Sequence, residues 1–156
     1  MKVLPLAELK DRVRAAHAAG RTIALANGLF DLLHVGHLRY LEGAKAEADL
    51  LVVAINADVS ARALKGEGRP VVPEGERAEL VAGFSCVDFV TLFADRTVEP
   101  LLRALRPDVH CKGTDYTADT VPEREVAREL GIRVAIVGDP KDHATSDLLG
   151  KLRGRR

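Results

Sequence analysis

The run Thr22-Ile23-Ala24-Leu25-Ala26-Asn27-Gly28-Leu29-Phe30-Asp31-Leu32-Leu33-His34-Val35-Gly36-His37 decides the fold. Its first five residues form a short apolar stretch, the kind that makes a strand buried on both faces in a parallel sheet. The strand ends at Asn27-Gly28, and a helical pattern follows from near His37 to Ala48. Upstream, Leu6, Leu9, Val13 and Ala16 recur at helical spacing after Pro5, and Gly20 is placed to end that helix. Residues 1–20 therefore read as an N-terminal helical extension.

Downstream the alternation repeats. Strands are expected at Leu50 to Asn56, Asp88 to Phe93, Asp108 to Lys112 and Ile132 to Val137. Helices are expected near Glu74 to Gly83, Thr97 to Leu105, Pro122 to Leu130 and from about Thr145. The stretch from Leu64 to Gly75, rich in Gly and Pro, reads as the longest loop. Strands alternating with helices specify an α/β fold, a doubly wound five-stranded parallel sheet. Right-handed crossovers make the first and fourth strands neighbours, with the chain running outward from that pair. The loops after Ala26 and Lys112 should then face one crevice, flanked by the last helix.

The 156 residues fit a single domain spanning 1–156. Lys plus Arg and Asp plus Glu each total 23, a balance that argues against a nucleic-acid or membrane-surface binder. Apolar residues make up 47% and aromatics only 4%, so the core is built from Leu, Val, Ile and Ala. No apolar run approaches the roughly 20 residues needed to span a bilayer. The N-terminus lacks a signal-peptide pattern, and the two cysteines, Cys86 and Cys111, suit a reducing, cytoplasmic setting.

Two histidines separated by Val-Gly, where a strand passes into a helix, are the sharpest chemical feature. Backbone N–H groups at a helix start attract phosphate, and imidazoles beside them can donate to charge developing on a phosphoryl oxygen. Gly36 lets a phosphate approach the backbone. The bland alternative is a pair of surface or capping histidines. Zinc is another, but it needs a third ligand, and His110, Cys111 and His143 form no recognisable spacing with the pair. Lys65 and Arg69 are either solvated loop charges or cations that close over a triphosphate. Lys112 either caps the sheet or meets phosphate at the switch point. Thr145-Ser146 reads first as a helix cap. Asp31 is either a turn-former with a local bond or a residue that orders its loop. Asn56 and Asp58 either cap the next turn or contact substrate, and Arg77 forms a surface ion pair or reaches a phosphate.

The run from Gly28 to His37 resembles the signature of the cytidylyltransferase-like nucleotidyltransferases, whose hallmark is His-x-Gly-His after a Phe-Asp pair. Within that superfamily the chain is most similar to the heptose 1-phosphate adenylyltransferases of lipopolysaccharide core synthesis, including the adenylyltransferase half of bifunctional heptose kinase/adenylyltransferases. The similarity covers about residues 21 to 152. It rests on Asn27-Gly28-x-Phe30-Asp31, Val53-Ala54-x-Asn56-x-Asp58, Leu64-Lys65-Gly66, Arg69-Pro70-Val71, Val87-Asp88 and Lys112-Gly113-x-Asp115-Tyr116. Several separated motifs in the right order weigh against an ordinary surface pair.

The resemblance implies a Rossmann-like nucleotidyltransferase fold and transfer of AMP from ATP to a sugar 1-phosphate, heptose 1-phosphate above all, giving ADP-sugar and pyrophosphate. It implies catalytic roles for His34, His37 and Lys65, and nucleotide contacts from Gly28, Leu29, Phe30, His34, Gly36, His37, Lys112, Thr145 and Ser146. The acceptor falls to Asn27, Asp31, Asn56, Arg69 and Asp115. Magnesium is expected on the triphosphate rather than in a protein cage. The chain departs from the family at Ala144, where a hydroxyl is usual. Relatives commonly form homodimers, and the N-terminal helix is available to pack across subunits. With no room for a fused sugar kinase, a separate protein is expected to supply the sugar 1-phosphate. The rival readings are a cytidylyltransferase acting on glycerol 3-phosphate or a related alcohol phosphate, and a non-catalytic nucleotide-binding module. A dinucleotide oxidoreductase and a P-loop enzyme lack their glycine patterns here.

Overall fold

Twelve elements are built from these patterns in a computed structural model that describes residues 1–139 and 145–154. In chain order they are α1 (Leu6–Ala18), β1 (Ile23–Gly28), α2 (Val35–Lys45), β2 (Leu50–Asn56), α3 (Asp58–Lys65) and α4 (Glu74–Ala82), then β3 (Phe89–Phe93), α5 (Glu99–Leu105), β4 (Val109–Lys112), α6 (Arg124–Leu130), β5 (Arg133–Ile136) and α7 (Thr145–Leu152). The strands form one sheet in the order β3-β2-β1-β4-β5, with every pair parallel. β1 and β4 are neighbours, as in the order expected from the sequence, and the chain winds outward from them in both directions.

Alternation along the buried strands sorts side chains into two layers. Ile23 and Leu25 of β1 and Val52 and Ala54 of β2 meet α1, α5 and α6 through Leu9, Val13, Leu101, Leu102 and Val126. Ala24, Ala26, Leu51, Val53 and Ile55 face the other way, onto Leu41 and Ala44 of α2 and Ala78 and Val81 of α4. Each fully buried aliphatic side chain contributes about 1.5–3 kcal/mol, so both layers are needed to hold the sheet.

Two expectations change. The N-terminal helix is part of the core rather than an appendage: Leu9 and Val13 are buried, and His17 Nε2 meets Asp108 Oδ2, which also accepts from Ile23 N. The stretch read as a loop from Leu64 to Gly75 is shorter, because α3 runs to Lys65 and α4 starts at Glu74. Among the described residues, no helix is long and apolar enough to cross a membrane.

Candidate active site

At the carboxyl end of β1 the chain leaves the sheet through two residues in the left-handed region, Phe30 (φ 54°) and Leu32 (φ 48°). Side chains pay about 1–2 kcal/mol for that conformation, so surrounding contacts must hold it. Asp31, between them, supplies those contacts. Its carboxylate accepts from Arg69 Nε and Val71 N, both at 2.9 Å, and from Val72 N at 3.0 Å. Burial alone would raise the Asp31 pKa, but these N–H donors and the Arg69 charge outweigh it and lower the value. Asp31 therefore orders a loop about forty residues away in sequence.

A second hub lies beneath. Arg77, with no exposed surface, donates to the Val72 and Leu29 carbonyls and pairs with Asp58 Oδ1 at 2.8 Å. The surface ion pair that the sequence admits for Arg77 is thus overturned. Its position on α4 points into the fold and ties the loops after β1 and α3 together. Neither Asp58 nor Asn56 caps α3: the Asp58 carboxylate is taken by Arg77, and Asn56 Nδ2 donates to Ser60 Oγ at 3.5 Å.

The histidine pair closes the start of α2. His34 Nδ1 accepts from Gly36 N at 3.1 Å, and His37 Nδ1 accepts from His34 N at 3.2 Å. This is a reciprocal capping arrangement in which imidazoles stand where a hydroxyl and a carboxylate usually serve. Because each Nδ1 takes an N–H, each neutral ring carries its proton on Nε2. The ring centroids lie 4.0 Å apart. Burial first, and then the neighbouring His34, push the His37 pKa down to about 4, with Asp31 pulling the other way. His37 is therefore a neutral donor at physiological pH. Phe30 packs against His37 and Tyr40, and an added Cβ at Gly28 would sit 3.1 Å from the Phe30 ring.

These elements enclose a cavity of about 400 Å³. Asn27, Gly28, Leu29, Phe30 and Asp31 line one wall, with His34, Gly36 and His37 at the start of α2. Asn56, Lys65 and Arg69 bound it from the β2 side, and Asp115 from the β4 side. The loops after β1 and β4 thus meet as expected from the strand order. Lys65 ends α3 with an exposed ammonium, whereas Arg69 is already paired with Asp31.

Lys112 stands apart from the lining. Strand alternation turns it away from Cys111 and the α2 layer, burial lowers its pKa, and its ammonium sits 4.6 Å from the centre of the Tyr116 ring. The backbone of α7 includes Thr145 and Ser146, but their side chains, like His143 and Ala144, fall outside the described residues. Sequence reading missed Tyr40, Leu64, Thr114 and the segment Val137-Gly138-Asp139, all of which line the cavity. Gly138 held the clearest signal, a glycine one step beyond the last strand residues. Its φ is +95°, and a Cβ there would meet Tyr40 Cα at 3.2 Å. Thr114 Oγ1 donates to the Asp139 carbonyl at 2.6 Å, and Arg39 pairs with the Asp139 carboxylate.

A cytidylyltransferase-like family model matches residues 25–147. The bifunctional protein HldE of Geobacter sulfurreducens is 42% identical over 151 residues, 97% of this chain and 31% of that protein. The bifunctional protein HldE of Desulfatibacillum aliphaticivorans is 39% identical over 155 residues, 99% of this chain and 32% of that protein. The chain thus spans about a third of the length of these curated relatives. A solved lipopolysaccharide core biosynthesis protein from Thermoplasma volcanium GSS1 shares the fold, with TM-score 0.65 and 24% identity over 78% of this chain and 100% of that one.

Proposed function

The chain belongs to the cytidylyltransferase-like family and is a nucleotidyltransferase; from that premise we propose that it transfers AMP from ATP to a sugar 1-phosphate, heptose 1-phosphate above all. An acceptor phosphate oxygen bonds to the α-phosphorus, the bond from that phosphorus to the α–β bridging oxygen breaks, and pyrophosphate leaves with its electron pair. The acceptor is already an anion, so no strong base is needed. Positioning and charge stabilisation supply the catalysis.

One observation carries the reading: two capped histidines whose remaining N–H groups belong to rings lining a cavity at a helix N-terminus. Donors fixed before the reaction stabilise developing phosphoryl charge without reorganising. His34 and His37 take that role on the α-phosphate, and Gly28 to Phe30 and Gly36 give the nucleotide backbone-lined space. Lys65, exposed at the end of α3, neutralises the departing pyrophosphate. Asn27, Asp31, Asn56, Arg69 and Asp115 form the acceptor wall, with Asp31 and Arg69 acting as one ion-paired unit. ATP enters as its magnesium complex. Asp31, engaged by Arg69, Val71 and Val72, would be a poor ligand for the ion, which phosphate oxygens and water would hold.

The identity of the HldE relatives across 97–99% of this chain supports the choice of ATP over CTP. Turnover with ATP or CTP against heptose 1-phosphate, other sugar 1-phosphates and glycerol 3-phosphate tests it. ADP-sugar and pyrophosphate from ATP and a sugar 1-phosphate are expected; turnover confined to CTP and glycerol 3-phosphate, or ATP binding without pyrophosphate release, would overturn it.

A further inference from the structure

Among the described residues, the histidine buried most completely lies outside the signature, on β4. His110 has no exposed surface, and its Nε2 lies 2.9 Å from Asn27 Oδ1. The parallel register pairs Leu25 with His110, so His110 projects from the same sheet face as Leu25 and Asn27. A carboxamide oxygen only accepts, so His110 Nε2 carries the ring proton. Its Nδ1 meets no partner among the described residues. The reverse amide orientation would instead bury an N–H without an acceptor, the costlier defect. With its oxygen engaged, Asn27 has its amide nitrogen left over, and Asn27 lines the cavity.

The two sheet faces separate the walls of the crevice. α2, which His34 caps and which carries His37, covers the face of Ala24 and Ala26; Asn27 projects from the opposite face. A triphosphate seated at the start of α2 therefore leaves the Asn27 side for the acceptor.

We propose that His110 is a positioning residue: by donating to Asn27 Oδ1 it turns the Asn27 amide N–H groups toward the acceptor phosphate and holds them there. This rests on the reading that a sugar phosphate binds beside ATP. Burial, and then the charge on Lys112, push the His110 pKa down to about 3, so its single-proton form persists across neutral pH.

Steady-state kinetics of His110→Leu, His110→Gln, Asn27→Ala and the double variant Asn27→Ala/His110→Leu test the proposal, with thermal unfolding run on each. His110→Leu should raise the acceptor KM about tenfold and leave the ATP KM within about twofold, a hydrogen-bond-sized effect. His110→Gln keeps a donor and should recover most of the loss. The double variant should be no worse than Asn27→Ala alone, because His110 acts through Asn27. An unchanged acceptor KM, an equal rise in both KM values, or losses that multiply in the double variant would overturn the proposal. Should His110→Leu fail to fold, the wild type still decides: ¹⁵N-histidine spectra must show His110 as the Nε2–H tautomer, and an Nδ1–H tautomer or imidazolium at neutral pH sinks it. Failure of the underlying reading looks different, as wild-type protein that turns over no sugar phosphate at all.

Discussion

His37 is poised to donate and unable to shuttle a proton, because protonating it would displace the His34 N–H from Nδ1. Its ring signals should therefore stay flat from pH 8 down to about 5 and titrate near 4, in contrast to the ordinary value of 6.5. An NMR midpoint near 6.5 would contradict the capped geometry. The linked stability effect has a definite sign. Between pH 6.5 and 4 the unfolded chain binds the proton first, so stability is retained above 6.5 and lost as pH falls through that window. Thermal unfolding should show a lower Tm at pH 5 than at pH 7, with a shallower drop in His37→Ala. The pair stood out by its place where a strand passes into a helix, but its spacing alone fits a surface or capping pair, and only the separated motifs around it weighed against that reading. Lys112 was read from its place at a strand end, but a strand end offers two faces. Its neighbour Cys111 belongs to the α2 layer, which commits Lys112 to the other face, under Tyr116.

Between α3 and α4 the loop of residues 66–73 is held from two sides, by Asp31 through its N–H groups and by Arg77 through the Val72 carbonyl. Asp31→Ala should free this loop while leaving the sheet intact. Limited proteolysis should then cut within 66–73 in the variant well before the wild type, and equal cleavage rates would contradict the tether. Arg77→Ala strands the Asp58 carboxylate and two carbonyls, and should cost about 3–5 kcal/mol in urea unfolding; a cost under about 1 kcal/mol would show the hub to be dispensable. The helices packed on the sheet were legible as apolar periodicity. α3 was not, because only Ser60 and Ala61 of its eight residues are buried and no side chain caps its start. The value of Arg77 was equally hidden: a charge in a helical pattern reads as solvent-facing until the loops that surround it are in place.

Across the whole molecule, strand order followed from crossover handedness and was legible before any motif was weighed. The docking of α1 was not, since its amphipathic pattern states which face is apolar and leaves open what covers it. Leu9, with no exposed surface in the layer shared with Leu101 and Leu102, now makes α1 part of the stability unit. Leu9→Ala should cost about 2–5 kcal/mol, checked by denaturant unfolding, whereas an appendage would show almost no loss. The formal net charge of zero concealed a local arrangement in which Lys65, Arg69 and two histidines surround one cavity. The claim that this arrangement stabilises the transition state is tested most directly by pyrophosphate release from ATP and a sugar 1-phosphate in His37→Ala. The fold should be checked by circular dichroism and ATP binding by calorimetry. The account predicts a fall of about a hundredfold or more in kcat with ATP still bound; release at the wild-type rate would contradict it.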